Sequence, residues 1–273
     1  KNICLILFDI DGVIRSVENS YRLSLKKTVY KFTGWEPNYT IIDNAKNEGI
    51  WNNDWDLSLE LIKRFIKKKN LKLTVPSREQ IVKCFEDFYF GCDPKKNSKY
   101  WSGFIKNEEL LVDKKFFDSL NSKGIIWGFV SGAESSSAKF ILEKRLGLKA
   151  PPLISMGDAP DKPNPKGFIK LSKKLLLDKL GPATIPIAYV GDTIADIKTV
   201  INARNEVPSQ KFISIGIAPP HLHLKSRLKE RNLYETNLRK AGADLILNSL
   251  NELKNINIDL VKIDNNKNGT VYP

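Results

Sequence analysis

The chain has 273 residues, 41% of them hydrophobic, with 44 Lys+Arg against 31 Asp+Glu and a net charge of +13. That apolar content excludes global disorder, and the length suits one large domain or a core with a smaller insertion. The longest apolar run, residues 3–8, stops at Asp9, far short of the roughly 18 residues a membrane span needs, so no membrane partner is expected.

Residues 3–8 form a continuous apolar run, the pattern of a strand buried on both faces. The stretch 16–102 then reads as helices only, at 20–32, 55–69 and 77–90, separated by Gly34, Pro37, Gly49, Pro76 and Gly91. Beyond it strands and helices alternate. Helices are predicted at 110–120, 136–146, 166–180, 194–203 and about 224–241, and strands at 125–130, 187–190, 212–217 and 245–247. This order predicts an α/β fold, a doubly wound Rossmann-like parallel sheet built from 1–15 and 103–261. An all-helical domain, 16–102, is inserted after the first strand, and the polar segment 262–273 reads as a flexible tail.

In open α/β sheets functional groups gather beyond the C-terminal ends of strands. The first strand runs into Asp9-Ile10-Asp11-Gly12-Val13, and the second into Ser131-Gly132. The 187–190 strand runs into Gly191-Asp192, with Asp196 one helical turn later. The Pro-flanked loop Asp161-Lys162-Pro163-Asn164-Pro165 can aim one ammonium group. Carboxylates converging in a dry crevice repel one another unless a cation sits between them. Oxygen-only ligands favour a hard ion, and Mg²⁺ is the usual choice where phosphate oxygens complete the shell. A carboxylate attacking phosphorus then forms an aspartyl-phosphate, splitting one hard displacement into two easier ones. Metal and lysine would neutralise the phosphoryl charge, and a serine hydroxyl with nearby N–H groups would hold its oxygens. A second carboxyl two residues on can protonate the leaving oxygen and later deprotonate the attacking water.

Asp9-Ile10-Asp11-Gly12-Val13, Ser131, Lys162 and Gly191-Asp192 with Asp196 resemble, in order, the four motifs of the haloacid dehalogenase superfamily. The helical insert is similar to the cap of its subfamily I. The resemblance implies that Asp9 is the nucleophile and Asp11 the general acid/base. It implies Mg²⁺ bound by the Asp9 carboxylate, the Asp11 backbone carbonyl and Asp192. Ser131, Gly132 and Lys162 would hold the phosphoryl group, with Asp196 behind them. Dehalogenases of the superfamily lack an Asp two residues after the nucleophile, so Asp11 favours phosphoryl transfer. The implied activity is a Mg²⁺-dependent phosphatase acting on a small phosphorylated metabolite. Sugar phosphates, phosphoglycolate and histidinol phosphate are all compatible. The segments Asp11–Arg15, Ser20-Tyr21-Arg22 and Trp51–Trp55 also resemble a cyanobacterial and archaeal branch of hydrolases with unassigned substrate.

Other readings are weaker. The mutases related to β-phosphoglucomutase carry a hinge histidine where this chain has Tyr21. An EF-hand would need Gly at the sixth loop position, and Gly12 is fourth from Asp9. Nine arginines against 35 lysines read as a generally basic, solvated surface rather than a nucleic-acid footprint, and the intact carboxylates, Ser131 and Lys162 argue against a basic nucleic-acid-binding or regulatory protein on a dead enzyme scaffold. Cys4, Cys84 and Cys92 show no pairing pattern, no signal peptide is visible, and a cytoplasmic setting is expected. His221 and His223 lack a third ligand type and are not read as a metal site. Arg15, Arg22, Asn52 and Asn53 are candidates for substrate specificity, with Asp54 read as the cap of the 55–69 helix. Oligomeric state is left open.

Overall fold

The computed structural model describes residues 3–51 and 53–263. The chain forms two compact units, one from the residues up to Arg15 together with those from Leu110 onward, the other Ser16–Glu109.

The first unit is built on a six-stranded, all-parallel sheet. In chain order its strands are β1 (Cys4–Phe8), β4 (Ile125–Val130), β5 (Leu153–Ile154), β6 (Ile187–Gly191), β7 (Phe212–Ile217) and β8 (Leu245–Leu247). The short strands β2 (Arg15–Ser16) and β3 (Glu109–Leu110) form a separate ribbon where the chain passes from one unit to the other. Spatial order in the sheet is β5-β4-β1-β6-β7-β8, so β1 lies at its centre, between β4 and β6. All five residues of β1 are buried, as its unbroken apolar run predicts. Its side chains alternate between two cores. Cys4, Ile6 and Phe8 pack with α5 (Lys114–Ser122), α6 (Ser135–Lys139) and the closing 3-10 turns, through Phe116, Phe117, Ala138 and Leu253. Leu5 and Leu7 pack on the other face with α7 (Lys166–Leu175) and α8 (Ile194–Glu206), through Phe168, Leu171, Val200 and Ala203. A last helix, α9 (Leu228–Ala241), closes over α8 through Leu238 and Ile197. Each such fully buried Leu or Phe stabilises the fold by about 1.5–3 kcal/mol.

Register fixes where the chemistry falls. Phe8 is level with Phe129 on one side and Val190 on the other. Asp9 therefore leaves the sheet beside Val130 and Gly191, with Ser131 and Asp192 one residue further on. The order of connections reverses at β1, and this is where an open α/β sheet forms its crevice.

The second unit holds α1 (Tyr21–Thr33), α2 (Tyr39–Lys46), α3 (Asp54–Lys69) and α4 (Arg78–Tyr89). Tyr21, Phe85 and Tyr89 form an aromatic cluster, with Tyr21 ring centroids 5.3 Å and 4.3 Å from the other two. The Ser77 and Gln80 side chains make a capping box at the start of α4. No helix among the described residues is long and apolar enough to cross a membrane.

Several sequence expectations are corrected. Helix α2 and strand β5 were not anticipated. The 110–120 helix begins at Lys114, where Asp113 accepts from the Phe116 N–H as N-cap. The 136–146 helix is one α turn followed by a π-helical turn, Phe140–Arg145. The 166–180 helix stops at Leu175, with Leu177 and Asp178 both at positive φ. Residues 103–109 belong to the helical unit, not the sheet unit. The Ser102 and Gly103 N–H groups donate to Phe90 O, Phe104 stacks on Phe88, and Glu108 binds Tyr89. The tail 262–273 lies outside the described residues from position 264 on.

Candidate active site

Asp9 follows β1 and is buried; its N–H donates to Val190 O, and its own Oδ1 accepts from the Ile10 N–H at 2.8 Å. Burial pushes its carboxyl up to about 7, and the Asp196 and Asp11 charges push the same way against the pull of Lys162. The Lys162 ammonium lies 3.2 Å from Asp9 Oδ1. Desolvation alone would lower the lysine, but the Asp196 and Asp9 carboxylates outweigh it and hold Lys162 charged, well above its usual value.

Asp196 anchors that lysine. Its Oδ1 accepts from Lys162 Nζ at 2.5 Å, and its Oδ2 accepts from the Thr193 N–H and hydroxyl at 3.0 and 2.8 Å. Thr193 and Asp196 are at once the capping box of α8. The pairing leaves no room at Gly191, where a Cβ would lie 2.2 Å from Asp196 Cβ. Buried Tyr189, three residues before Asp192, accepts from Lys162 Nζ at 2.9 Å and donates to Val130 O at 2.7 Å.

Asp9, Asp192 and Asp196 each bring one oxygen within 4.8 Å of the others, and all three are buried. An oxygen-only donor set of this kind suits a hard divalent ion such as Mg²⁺. Both oxygens of Asp196 are already taken by Lys162 and Thr193, so Asp9 and Asp192 are the carboxylates better fitted to an ion. Gly12 matters here: it sits at φ +78°, and a Cβ on it would meet Asp192 Oδ2 at 2.1 Å. The Asp192 carboxylate therefore lies directly against the Asp11-Gly12 backbone, the place of the third expected ligand. Tyr234 of α9 holds the Asp192 peptide by donating to its carbonyl at 2.7 Å.

Ser131 is buried at the end of β4. Its N–H donates to Ile154 O and its Oγ accepts from the Ala133 N–H at 3.1 Å, so residues 131–133 form a tight turn around Gly132. Asp11 Oδ1 accepts from Arg15 Nε at 2.6 Å. Arg15, expected from the sequence to read substrate, has no solvent exposure and reaches Ser137 O as well as Asp11, both inside the sheet unit. Arg22 is likewise buried, paired with Asp43 at 2.8 Å within the helical unit. Asn53 is the N-cap of α3, accepting from Trp55 and Asp56 N–H groups, a role the sequence reading gave to Asp54. Asn52 lies outside the described residues. His221 is buried, and His223 Nε2 lies 2.8 Å from Ala218 O.

Sequence reasoning missed Tyr189, Tyr234 and the Arg15–Asp11 pair. The one available signal was at Tyr189, since a phenol in a strand buried on both faces needs a hydrogen-bond partner.

With this geometry in place, the sequence matches the haloacid dehalogenase-like hydrolase family over residues 3–204, and the chain belongs to that family. It is a hydrolase on an α/β fold of the Rossmann-like kind. Among solved structures it is similar to a phosphonoacetaldehyde hydrolase like protein from Oleispira antarctica. The TM-score is 0.64 at 17% identity, over 95% of this chain and 92% of that one. A hydrolase from Pseudomonas syringae superposes with a TM-score of 0.60 at 16% identity, over 94% and 99% of the two chains. Among curated proteins it is 29% identical over 231 residues to an imidazoleglycerol-phosphate dehydratase of Phytophthora nicotianae. That match takes in 82% of this chain, which spans 45% of the length of the relative.

Proposed function

We propose that the protein is a Mg²⁺-dependent phosphatase that hydrolyses a small phosphorylated metabolite through an aspartyl-phosphate on Asp9. The observation that carries this reading is the buried Asp9 carboxylate with a charged lysine 3.2 Å away, Asp192 beside it and Asp11 two residues on.

In the first half-reaction an Asp9 oxygen attacks phosphorus, and the ester oxygen leaves with a proton from Asp11. Lys162 balances charge on the phosphoryl oxygens, and Ser131 with the turn N–H groups around Gly132 orients them. In the second half, Asp11 takes a proton from water as it attacks phosphorus and frees Asp9. Asp9, Asp192 and the Asp11 carbonyl would hold Mg²⁺, which supplies further positive charge to the phosphoryl oxygens and offsets repulsion between the carboxylates. Arg15 keeps Asp11 in one rotamer between these steps.

Mutase chemistry is not favoured. Tyr21 stands where those enzymes carry a hinge histidine, and its ring is packed among Phe85 and Tyr89. A nucleic-acid partner is not favoured either, because the acidic site is intact and the excess charge is mostly lysine. The curated relative's name refers to imidazoleglycerol phosphate, so that ester and histidinol phosphate belong beside sugar phosphates and phosphoglycolate in a substrate panel.

The test is phosphate release from that panel with and without Mg²⁺, beside Asp9→Asn. Turnover that needs both the ion and Asp9 supports the phosphatase, and the ranking of esters points to the substrate. No release from any ester by folded, Mg²⁺-loaded protein would overturn it.

A further inference from the structure

Three acceptors surround the Lys162 ammonium: Asp196 Oδ1 at 2.5 Å, the Tyr189 hydroxyl at 2.9 Å and Asp9 Oδ1 at 3.2 Å. An ammonium has three N–H donors, so this set accounts for all of them. A lysine on a flexible four-carbon stem is a point charge with little direction of its own. With Asp196 as its sole fixed partner, the ammonium could swivel about one contact. The tyrosine supplies a second fixed point.

The phenol is well suited to this. Its ring is wholly buried in the core beside Leu5, Leu7 and Val130, and packs on Phe168 at a centroid distance of 5.5 Å. Its one proton goes to Val130 O at 2.7 Å, which leaves a lone pair facing Lys162. Val130 is the residue before Ser131. A single rigid side chain on β6 thus touches both the lysine and the peptide that carries the serine.

We propose that Tyr189 is a positioning residue, whose hydroxyl sets the Lys162 ammonium relative to Asp9 and registers it to the Val130-Ser131 peptide. This rests on the phosphatase reading. Tyr189 acts through Lys162, and its hydroxyl also lies 3.2 Å from Asp196 Oδ1, the other fixed partner of that ammonium. When a phosphoryl group enters, one N–H of Lys162 must turn to it, and the Asp9 contact, the longest of the three, is the one released. The Tyr189 and Asp196 contacts persist and keep the ammonium in place.

Tyr189→Phe keeps the ring and removes only the hydroxyl. In the Mg²⁺-loaded full chain it is expected to weaken inhibition by inorganic phosphate and to lower kcat/KM by about tenfold to a hundredfold, the effect of one hydrogen bond to a charged group. The loss should be equal for aryl and alkyl esters, because Lys162 holds the transferring group and not the leaving group. Lys162→Met should absorb the effect, so that adding Tyr189→Phe to it changes little. A purely structural role would give losses that simply add, and a full tyrosine effect in the Lys162→Met background would overturn the proposal. If Lys162→Met does not fold, the single variant decides, and unchanged phosphate affinity in Tyr189→Phe overturns it. Wild-type protein that neither turns over an ester nor binds phosphate would sink the phosphatase reading and the inference together. Active wild type with an unaffected Tyr189→Phe would sink the inference alone.

Discussion

Asp11 is held by a guanidinium that has no access to water. The Nε of Arg15 sits 2.6 Å from Asp11 Oδ1, and among the described residues the arginine is one of the largest wholly buried side chains. This fixes the carboxylate that must give a proton to the leaving oxygen. Asp11→Asn is therefore expected to lower kcat on an alkyl phosphate by about 10²–10⁴. An aryl phosphate, whose leaving group departs without a proton, should lose far less in the step that phosphorylates the enzyme. Burst kinetics on the two esters check this, and equal losses would contradict the acid role. Asp9, Asp11, Ser131, Lys162, Asp192 and Asp196 were all legible in the sequence, because strand ends in an α/β pattern say where side chains gather. Arg15 and Tyr189 were not. An arginine near a chain crossing reads as a surface charge, and a tyrosine in a strand reads as β-propensity, until their neighbours from distant segments are known.

At the level of whole elements, helix ends do much of the placing. The Thr193–Asp196 capping box starts α8 and also aims Asp196 at Lys162, so local helix chemistry and site geometry use the same two residues. In the helical unit, Asn53 caps α3 with contacts to two N–H groups. Asn53→Ala is expected to cost about 1 kcal/mol of stability, seen as a lower denaturant midpoint for that unit. A midpoint equal to wild type would contradict the cap assignment. Long, strongly patterned segments such as β1, α3 and α4 could be read from sequence because burial imposes their period. Helix α2 is only eight residues long, shorter than the window of roughly 11–18 residues over which a helical period stands out in a sequence. Strand β5 is two residues long and takes its identity from pairing with β4, a contact no local pattern encodes.

For the whole molecule, the buried acidic site makes stability depend on pH and on the ion. Burial raises Asp9 to about 7 from an ordinary value of 3.8. A carboxyl raised on folding contributes stability while it is protonated. That contribution is full below the unfolded value and is lost as pH rises through about 7. Metal-free protein should therefore lose stability from this group between about pH 4 and pH 7. Mg²⁺ binding favours the ionised carboxylate, so it should raise the melting temperature more at the higher pH. Melting curves at both pH values, with and without the ion, check the sign, and a larger Mg²⁺ effect at the lower pH would contradict it. The central claim is tested most directly by trapping the covalent intermediate. Protein turning over a good ester is acid-quenched and treated with borohydride, which reduces a phosphorylated aspartate to homoserine, and its peptides are then weighed. A homoserine at position 9, absent without Mg²⁺ and absent from Asp9→Asn, is the predicted result. Steady turnover with Asp9 unmodified, or with the label on another residue, would contradict it.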